Sequence, residues 1–417
     1  MKSVSRIALG VALVLGSASV VATPAVAQKQ KKNQKEQAAP AGPAVSKEER
    51  AALTPLQTAI TAKDWTAAAA ALPAARAGAK SADARHVLGQ FLFSWGRDAQ
   101  NRALQAEGLE MMVASGKIAA ANLPQYYEGL AAIAKESNDQ GKLATYYTKL
   151  VELKPNDPQA LVNLATVRQA ARQNSEAVQL IDRAITMQKG TGTNAPESWY
   201  KYALKLAYDG KMAPLAIKLS RDLLAAYPTA QNWRDSLLIY RELGTLDKSA
   251  TVDLQRLMRA SQSLSGERDW YDFALTLDQS GLPGEAVAVL DEGSRLKMVD
   301  LNKAAFKELR TLASRRVPED KASLNGVEGK AMAAATGTLA LKTADAFLGY
   351  GDYAKAITLY RAALQKGSVD ANLVNTRLGI ALALSGNRAE AETAFRAVTG
   401  ARQDLASFWL AWLARRA

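Results

Sequence analysis

Along most of the chain the apolar positions recur at three and four residues, the spacing of one buried helical face. Tyr147, Leu150 and Val151 make such a stripe, and Pro155 ends it, because proline has no amide hydrogen and pushes the residue before it out of the helical region. Leu161, Leu164 and Ala165 begin the next stripe. After the polar turn Arg172-Gln173-Asn174-Ser175, a further helix carries Ala177, Ile181, Ala184 and Ile185. Two short amphipathic helices, a turn and a proline therefore form one unit of about 34 residues. A small residue marks the second helix of successive units at Ala177, Ala216, Ala250, Ala286, Ala356 and Ala391. The phase holds from mid-chain almost to the end, with one poorly written unit between Ala286 and Ala356. Nothing alternates with the period of two that a strand needs.

These units resemble the tetratricopeptide repeat (TPR). Leu88-Gly89-x2-Leu92, Leu143-x3-Tyr147 followed by Pro155, Ala177-x3-Ile181, Trp270-x2-Phe273-Ala274-x2-Leu277 with Ala286-x3-Leu290, Tyr353 to Leu364, and Leu378-Gly379-x2-Leu382 with Ala391-x3-Phe395 follow its wording. The resemblance implies an all-α fold, an α-solenoid of helix-turn-helix pairs wound as a right-handed superhelix. It also implies that the first helix of each pair lines a concave groove for protein or peptide segments. About ten pairs are expected over residues 47–402. Gly89 is expected at a close crossing within its pair. Over 301–336 the wording degrades: Arg315-Arg316-Val317-Pro318 and Asn325-Gly326-Val327-Glu328-Gly329 put helix breakers where a second helix is due, which predicts a distorted pair.

Both ends differ from the array. Lys2 and Arg6 precede an apolar run that closes on Ala25-Val26-Ala27, so residues 1–27 read as a bacterial signal peptide and the destination as the periplasm. Residues 28–46, with Lys29, Lys31, Lys32 and Lys35 among glutamine, alanine and proline, bury too little apolar surface to fold and read as a disordered basic linker. In residues 403–417, Leu405, Phe408, Trp409, Trp412 and Leu413 form one stripe of a helix that caps the last pair. Its tryptophans and Arg415-Arg416 give the alternative reading, a peripheral contact with membrane.

Composition removes several chemistries. The 417 residues include no cysteine and one histidine, so disulfides, thiolate metal sites and lipoprotein anchoring are excluded. His86 alone reads as a half-buried structural residue. A formal charge of +13 spread over so long a surface is a mild bias and not the footprint of nucleic acid. Gly349-Tyr350-Gly351-Asp352-Tyr353-Ala354 has the shape of a dinucleotide fingerprint, but it falls in an inter-helix turn with no strand before it. No catalytic, metal or cofactor residues are named, and the chain is not expected to be an enzyme.

Function is then expected from the groove. On the first helices, Lys201, Lys205 and Tyr208 share a face away from their packing stripe, as do Arg268 and Tyr271 on a later one, and bases with tyrosines suit an extended segment bearing acids. The family's carboxylate-clamp groove is only partly matched, since Lys205 and Ser236 stand where its asparagines belong. A periplasmic scaffold for protein or peptide partners, in envelope or polysaccharide assembly, is the first reading. A binder of anionic wall polymer or an enzyme accessory is the alternative. Sequencing the amino terminus of protein purified from the cell envelope should find Gln28 first; an intact Met1 or Lys2 excludes cleavage after Ala27.

Overall fold

The computed structural model describes residues 43–415, which form twenty α-helices and no strand. The fold is all-α, a TPR-like solenoid of antiparallel helix pairs. Residues 1–42, where the signal peptide and most of the basic linker are expected, and residues 416–417 lie outside the described residues. The chain divides into two compact units, one ending at Leu180 and the other beginning at Ile181. The first holds α1 (Lys47–Thr61), α2 (Trp65–Gly78), α3 (Ala82–Asp98), α4 (Arg102–Ala114), α5 (Leu123–Glu136), α6 (Gln140–Leu153) and α7 (Pro158–Ala170), and the division falls inside α8 (Asn174–Gly190). The second holds α9 (Glu197–Asp209), α10 (Ala213–Ala226), α11 (Ala230–Leu243), α12 (Lys248–Ala260), α13 (Gly266–Gln279), α14 (Pro283–Arg295) and α15 (Ala304–Ala333). It continues through α16 (Thr338–Gly349), α17 (Tyr353–Lys366), α18 (Ala371–Leu384), α19 (Arg388–Arg396) and α20 (Gln403–Ala414).

The folded part begins slightly before residue 47. Val45 is buried, and Ser46 caps α1 in a reciprocal box with Glu49, so these two residues leave the expected linker and join the array.

One turn geometry builds nearly all the pairs. Lys63, Gln100, Asn138, Arg172, Lys211, Gly281, Gly351 and Gly386 each lie in the left-handed region, and the amide of the next residue returns to a carbonyl of the preceding helix. These bonds include Asp64 to Ala59 at 2.9 Å, Asn101 to Gly96 at 2.7 Å and Asp352 to Phe347 at 2.9 Å. This is the Schellman ending, which satisfies carbonyls that a helix terminus leaves open. The residue after the turn then caps the next helix through its side chain at Asp64, Asn101, Asp139 and Asp352.

Within the first unit α3 and α4 cross closely. A Cβ on Gly89 would stand 2.8 Å from the Gly108 carbonyl oxygen, and one on Gly108 would stand 2.6 Å from the Gly89 oxygen. The small-residue reading of Gly89 holds, and its partner is a second glycine.

The expected distorted pair over 301–336 is one continuous helix. α15 runs through Pro318, Gly326 and Gly329 for 30 residues, about 45 Å. Tertiary contacts override the breakers: Phe306, Leu309, Ala313, Leu324 and Ala331 are buried. Polar ties add to them, with Arg310 on Asp291 at 2.7 Å, Tyr350 on Asp320 at 2.6 Å and Lys355 on Glu328 at 2.9 Å. Nine pairs and two single helices, α15 and α20, therefore account for the described residues.

The second unit closes on itself. α14 packs on α16, α16 on α18, α18 on α20, and α20 reaches back to α10 and α12. α12 and α18 are buried nearly all round, from Val252 to Met258 and from Thr376 to Ala383, as helices at a centre must be. The even-numbered helices thus form an inner course around which α9, α11, α13, α15, α17 and α19 lie. This corrects the role of residues 403–417. Trp409 and Trp412 are buried as a cap requires, and Trp409 stacks on Phe395 of the last pair at 5.8 Å. The same helix also puts Phe408 against Tyr240 at 5.3 Å, and the Trp412 indole donates to the Ala260 carbonyl at 3.0 Å. A cap covers one neighbour; α20 joins both ends of the unit. No helix among the described residues is long and apolar enough to cross a membrane.

Trp412→Ala should cost about 3–5 kcal/mol, as other buried aromatic truncations do. Because the helix joins both ends of the unit, hydrogen exchange should quicken together in α10, α12, α18 and α20. Faster exchange confined to α19 and α20 would show that the closure carries no cooperativity.

Candidate functional site

At the middle of the inner course lies a layer of charge. Asp253 of α12 is fully buried and accepts from Arg256 at 2.8 Å, from Arg377 of α18 at 3.2 Å and from Arg402, just before α20, at 2.9 Å. Arg256 also donates twice to Glu285 of α14, at 2.9 and 2.6 Å. Arg377 donates to Asp345 of α16 at 2.6 Å, and the Tyr360 hydroxyl gives Asp345 its second bond at 2.8 Å. Burial alone would push the Asp253 carboxyl up, but the guanidiniums of Arg377, Arg256 and Arg402 outweigh it and hold the group below the usual carboxylate range. For Asp345 burial wins over its partners and the carboxyl is pushed up. Arg256, bound to two carboxylates, stays protonated.

Two clefts open on opposite ends of this layer. One, of about 570 Å³, lies at the amino-terminal ends of α12, α14 and α16, walled by Val252, Leu282, Leu324, Val327 and Leu339, with Lys248 and Lys342 beside them and Arg377 and Asp345 at its floor. The other, of about 360 Å³, lies toward the carboxyl-terminal ends and is lined by Arg259, Glu292, Tyr350 and Tyr353 above Arg256 and Glu285. The stretch Gly349 to Tyr353 is the α16–α17 turn, with Gly351 at φ +77° and Asp352 capping the amide of Lys355, and it borders this second cleft.

The residues named from sequence stand elsewhere. Lys201, Lys205 and Tyr208 lie on α9 and Arg268 and Tyr271 on α13, both helices of the outer course, with α10, α11 and α12 between them in the chain. Lys201 pairs with Glu197 at 2.8 Å and Lys205 with Asp209 at 2.5 Å, each one turn away on its own helix. Tyr208 donates to Glu242 at 2.6 Å. Arg268 is largely exposed with Asp272 at 3.6 Å, and Tyr271 packs edge-on against Phe306 at 5.3 Å. Ser236, placed by the resemblance at a groove position, is fully buried. In this unit the inner course is made by second helices up to α14 and by first helices from α16 onward. A rule assigning the groove to first helices therefore selects α9 and α13 on the outside. The clefts themselves left one trace in the sequence, the irregular wording of α15 that supplies Leu324 and Val327.

His86 is half-buried, and burial pushes its pKa down. The Ser115 hydroxyl donates to the Met112 carbonyl at 2.6 Å, so the His86 Nδ1–H donates to Ser115 at 3.2 Å and Nε2 accepts from Gln90 at 3.2 Å. A neutral imidazole with both nitrogens engaged is a structural link between α3 and the end of α4.

No family model matches the chain, and no curated protein matches it. Among solved structures it is similar to Naa15/Naa10 bound to HypK-THB, at 15% identity over 88% of this chain and 67% of that chain with a TM-score of 0.30. It is also similar to the apo form of RapI, at 11% identity over 76% and 97% with a TM-score of 0.23, and to yeast Tom70, at 11% identity over 77% and 85% with a TM-score of 0.20. Superpositions this loose say nothing of ligands; the repeat architecture rests on the helices themselves.

The layer makes a pH-dependent prediction. A carboxyl held low contributes stability that is complete above the ordinary value of about 4 and is lost as pH falls below it. Asp253→Asn should therefore cost about 3–5 kcal/mol near neutrality, because it strands buried guanidiniums. Urea titrations over a pH series should show the gap to wild type narrowing below about pH 4. A constant gap would mean that the charge on Asp253 is not what the layer needs.

Proposed function

We propose that this chain is an exported, non-catalytic scaffold that binds segments of partner proteins, with the periplasm as its compartment and assembly of the envelope or its polysaccharides as its setting. The observation that carries this reading is the larger cleft of the second unit, an open hollow with an apolar wall and a fixed polar floor. Its volume of about 570 Å³ falls within the range of ligand sites, and four helices, α12, α15, α16 and α18, line it together with the α13–α14 turn. Asp253, Glu285 and Asp345 beneath it are all bound by arginine, which favours binding over proton transfer, since a general base must be free to accept a proton. Export rests on the apolar run and Ala25-Val26-Ala27.

The cleft replaces the α9 and α13 faces as the site. Leu339 is 37% exposed at its rim, so Leu339→Asp should change stability by no more than about 0.5 kcal/mol. Proteins captured from a periplasmic extract by the wild type should be lost with Leu339→Asp and kept when Lys201 and Lys205 are both changed to Glu. Retention on isolated cell wall alone, unaffected by Leu339→Asp, would overturn the scaffold reading in favour of wall-polymer binding.

A further inference from the structure

The smaller cleft of the second unit holds hydrogen-bonding groups that the fold leaves unused. Arg259 of α12 and Glu292 of α14 pair there, and both Nε and Nη2 of the guanidinium go to one carboxylate oxygen, Oε2, with Nε at 2.6 Å. The other oxygen, Oε1, and the other terminal nitrogen, Nη1, have no hydrogen bond among the described residues. The hydroxyl of Tyr353, at the start of α17, has none either. Burial pushes its pKa up, so the phenol keeps its proton, and the charges it senses are those of Arg259, Glu285, Arg256 and Glu292. An acceptor, a donor and a hydroxyl that can do both therefore line one hollow of about 360 Å³. Beside them, Ala260, Ala288, Leu348 and Leu384 give it an apolar wall.

Charge does not select the ligand of this cleft. Arg259 is matched by Glu292, and Arg256 beneath is matched by Glu285 through bonds of 2.9 and 2.6 Å. An ion that gains from one member of each pair is repelled by the other. A wholly apolar ligand would strip water from Oε1, Nη1 and the Tyr353 hydroxyl and return no hydrogen bond. The ligand that fits is uncharged, carries neighbouring groups that each donate and accept, and has an apolar face. Adjacent hydroxyls on a sugar ring meet these terms, because each has one donor and two acceptor positions and the ring carbons expose C–H faces.

We infer that the smaller cleft is a carbohydrate site for one neutral pyranose unit, with adjacent hydroxyls on Glu292, Arg259 and Tyr353 and a C–H face against Leu348 and Leu384. A hydroxyl that donates to Oε1 and accepts from Nη1 makes two charge-assisted bonds, which are stronger than neutral ones. The ion pair already holds both side chains, so little side-chain freedom is lost on binding. The site lies at the other end of the charged layer from the larger cleft and stands whether or not that cleft binds protein.

Saturation-transfer NMR on the full chain tests this with glucose, N-acetylglucosamine, glucuronate and glucosamine. The two neutral sugars should bind, and glucuronate and glucosamine should bind more weakly than either. Tyr353→Phe removes a hydroxyl without a partner in the fold, so the melting temperature should stay and affinity for glucose should fall about tenfold, the worth of one hydrogen bond. Glu292→Gln keeps the shape but leaves Arg259 unbalanced, so it should weaken glucose and make glucuronate the better ligand. Tighter binding of N-acetylglucosamine than of glucose supports the site with an amino-sugar glycan as its source, and the reverse order supports it with a plain hexose. Absence of transfer to all four sugars, a charged sugar bound best by the wild type, or neutral-sugar binding unchanged in both variants overturns the inference. None of these results alters the capture of extract proteins that depends on Leu339, so the scaffold reading stands or falls separately.

Discussion

The second unit depends on Asp253. A carboxylate without water is tolerable only where cations and hydrogen bonds replace its hydration. Here one arginine comes from its own helix and two come from positions 124 and 149 residues further along the chain. The charge is therefore satisfied only when α12, α18 and the start of α20 have come together in one register. Buried ion pairs are weak sources of net stability, because desolvation offsets most of the attraction. Their use here is selective: an arrangement that misplaces α18 or α20 leaves arginine and carboxylate buried apart, at a penalty that apolar packing alone would not impose. Three arginines balance Asp253, Glu285 and Asp345, so the layer carries no excess charge into the clefts on either side.

A closed unit needs something to break the repeat, because identical turns propagate identical geometry. Eight of the nine pairs use the same left-handed turn, so the turns cannot be the cause. The single helix α15 is. Up to α14 the second helix of each pair lies inside. α15 occupies an outer place without an inner partner, and from there α16 and α18, first helices of their pairs, take the inner places. α20, again single, fills the last inner position between α18 and α10. A stretch that reads as a damaged repeat is thus the element that reassigns inside and outside.

This explains how much of the protein was legible in its sequence. Helices are local, and their stripes, caps and periods could be read from residues a few positions apart: Tyr200, Ala203, Leu204 and Ala207 are buried as their spacing implies. Gly89 was legible for the same reason, since only a missing side chain permits so close a crossing. Pro318 and the glycines of α15 misled, because local breakers are weak against five buried side chains and three polar ties. The position of α20 on α10 and α12 was not legible, since no periodicity encodes a contact between residues 260 and 412. Which faces turn inward was least legible, because that requires knowing which helices lie inside. Lys201, Lys205 and Tyr208 do share a face, but the inner face is elsewhere.

Electrostatics separates these outer-course lysines from those at the cleft. A lysine with an acid one turn away, as Lys201 with Glu197, is a screened surface pair that adds solubility and little else. It presents almost no field to an approaching chain. Lys248 and Lys342 stand instead at a hollow with the buried layer at its floor, where Asp345 is held by Arg377, and Asp320, bonded to the Tyr350 hydroxyl, keeps its charge. Field lines from charges of either sign concentrate into such an opening rather than spreading into solvent. The overall charge of +13, spread over paired and unpaired lysines alike, therefore marks no single face of the molecule.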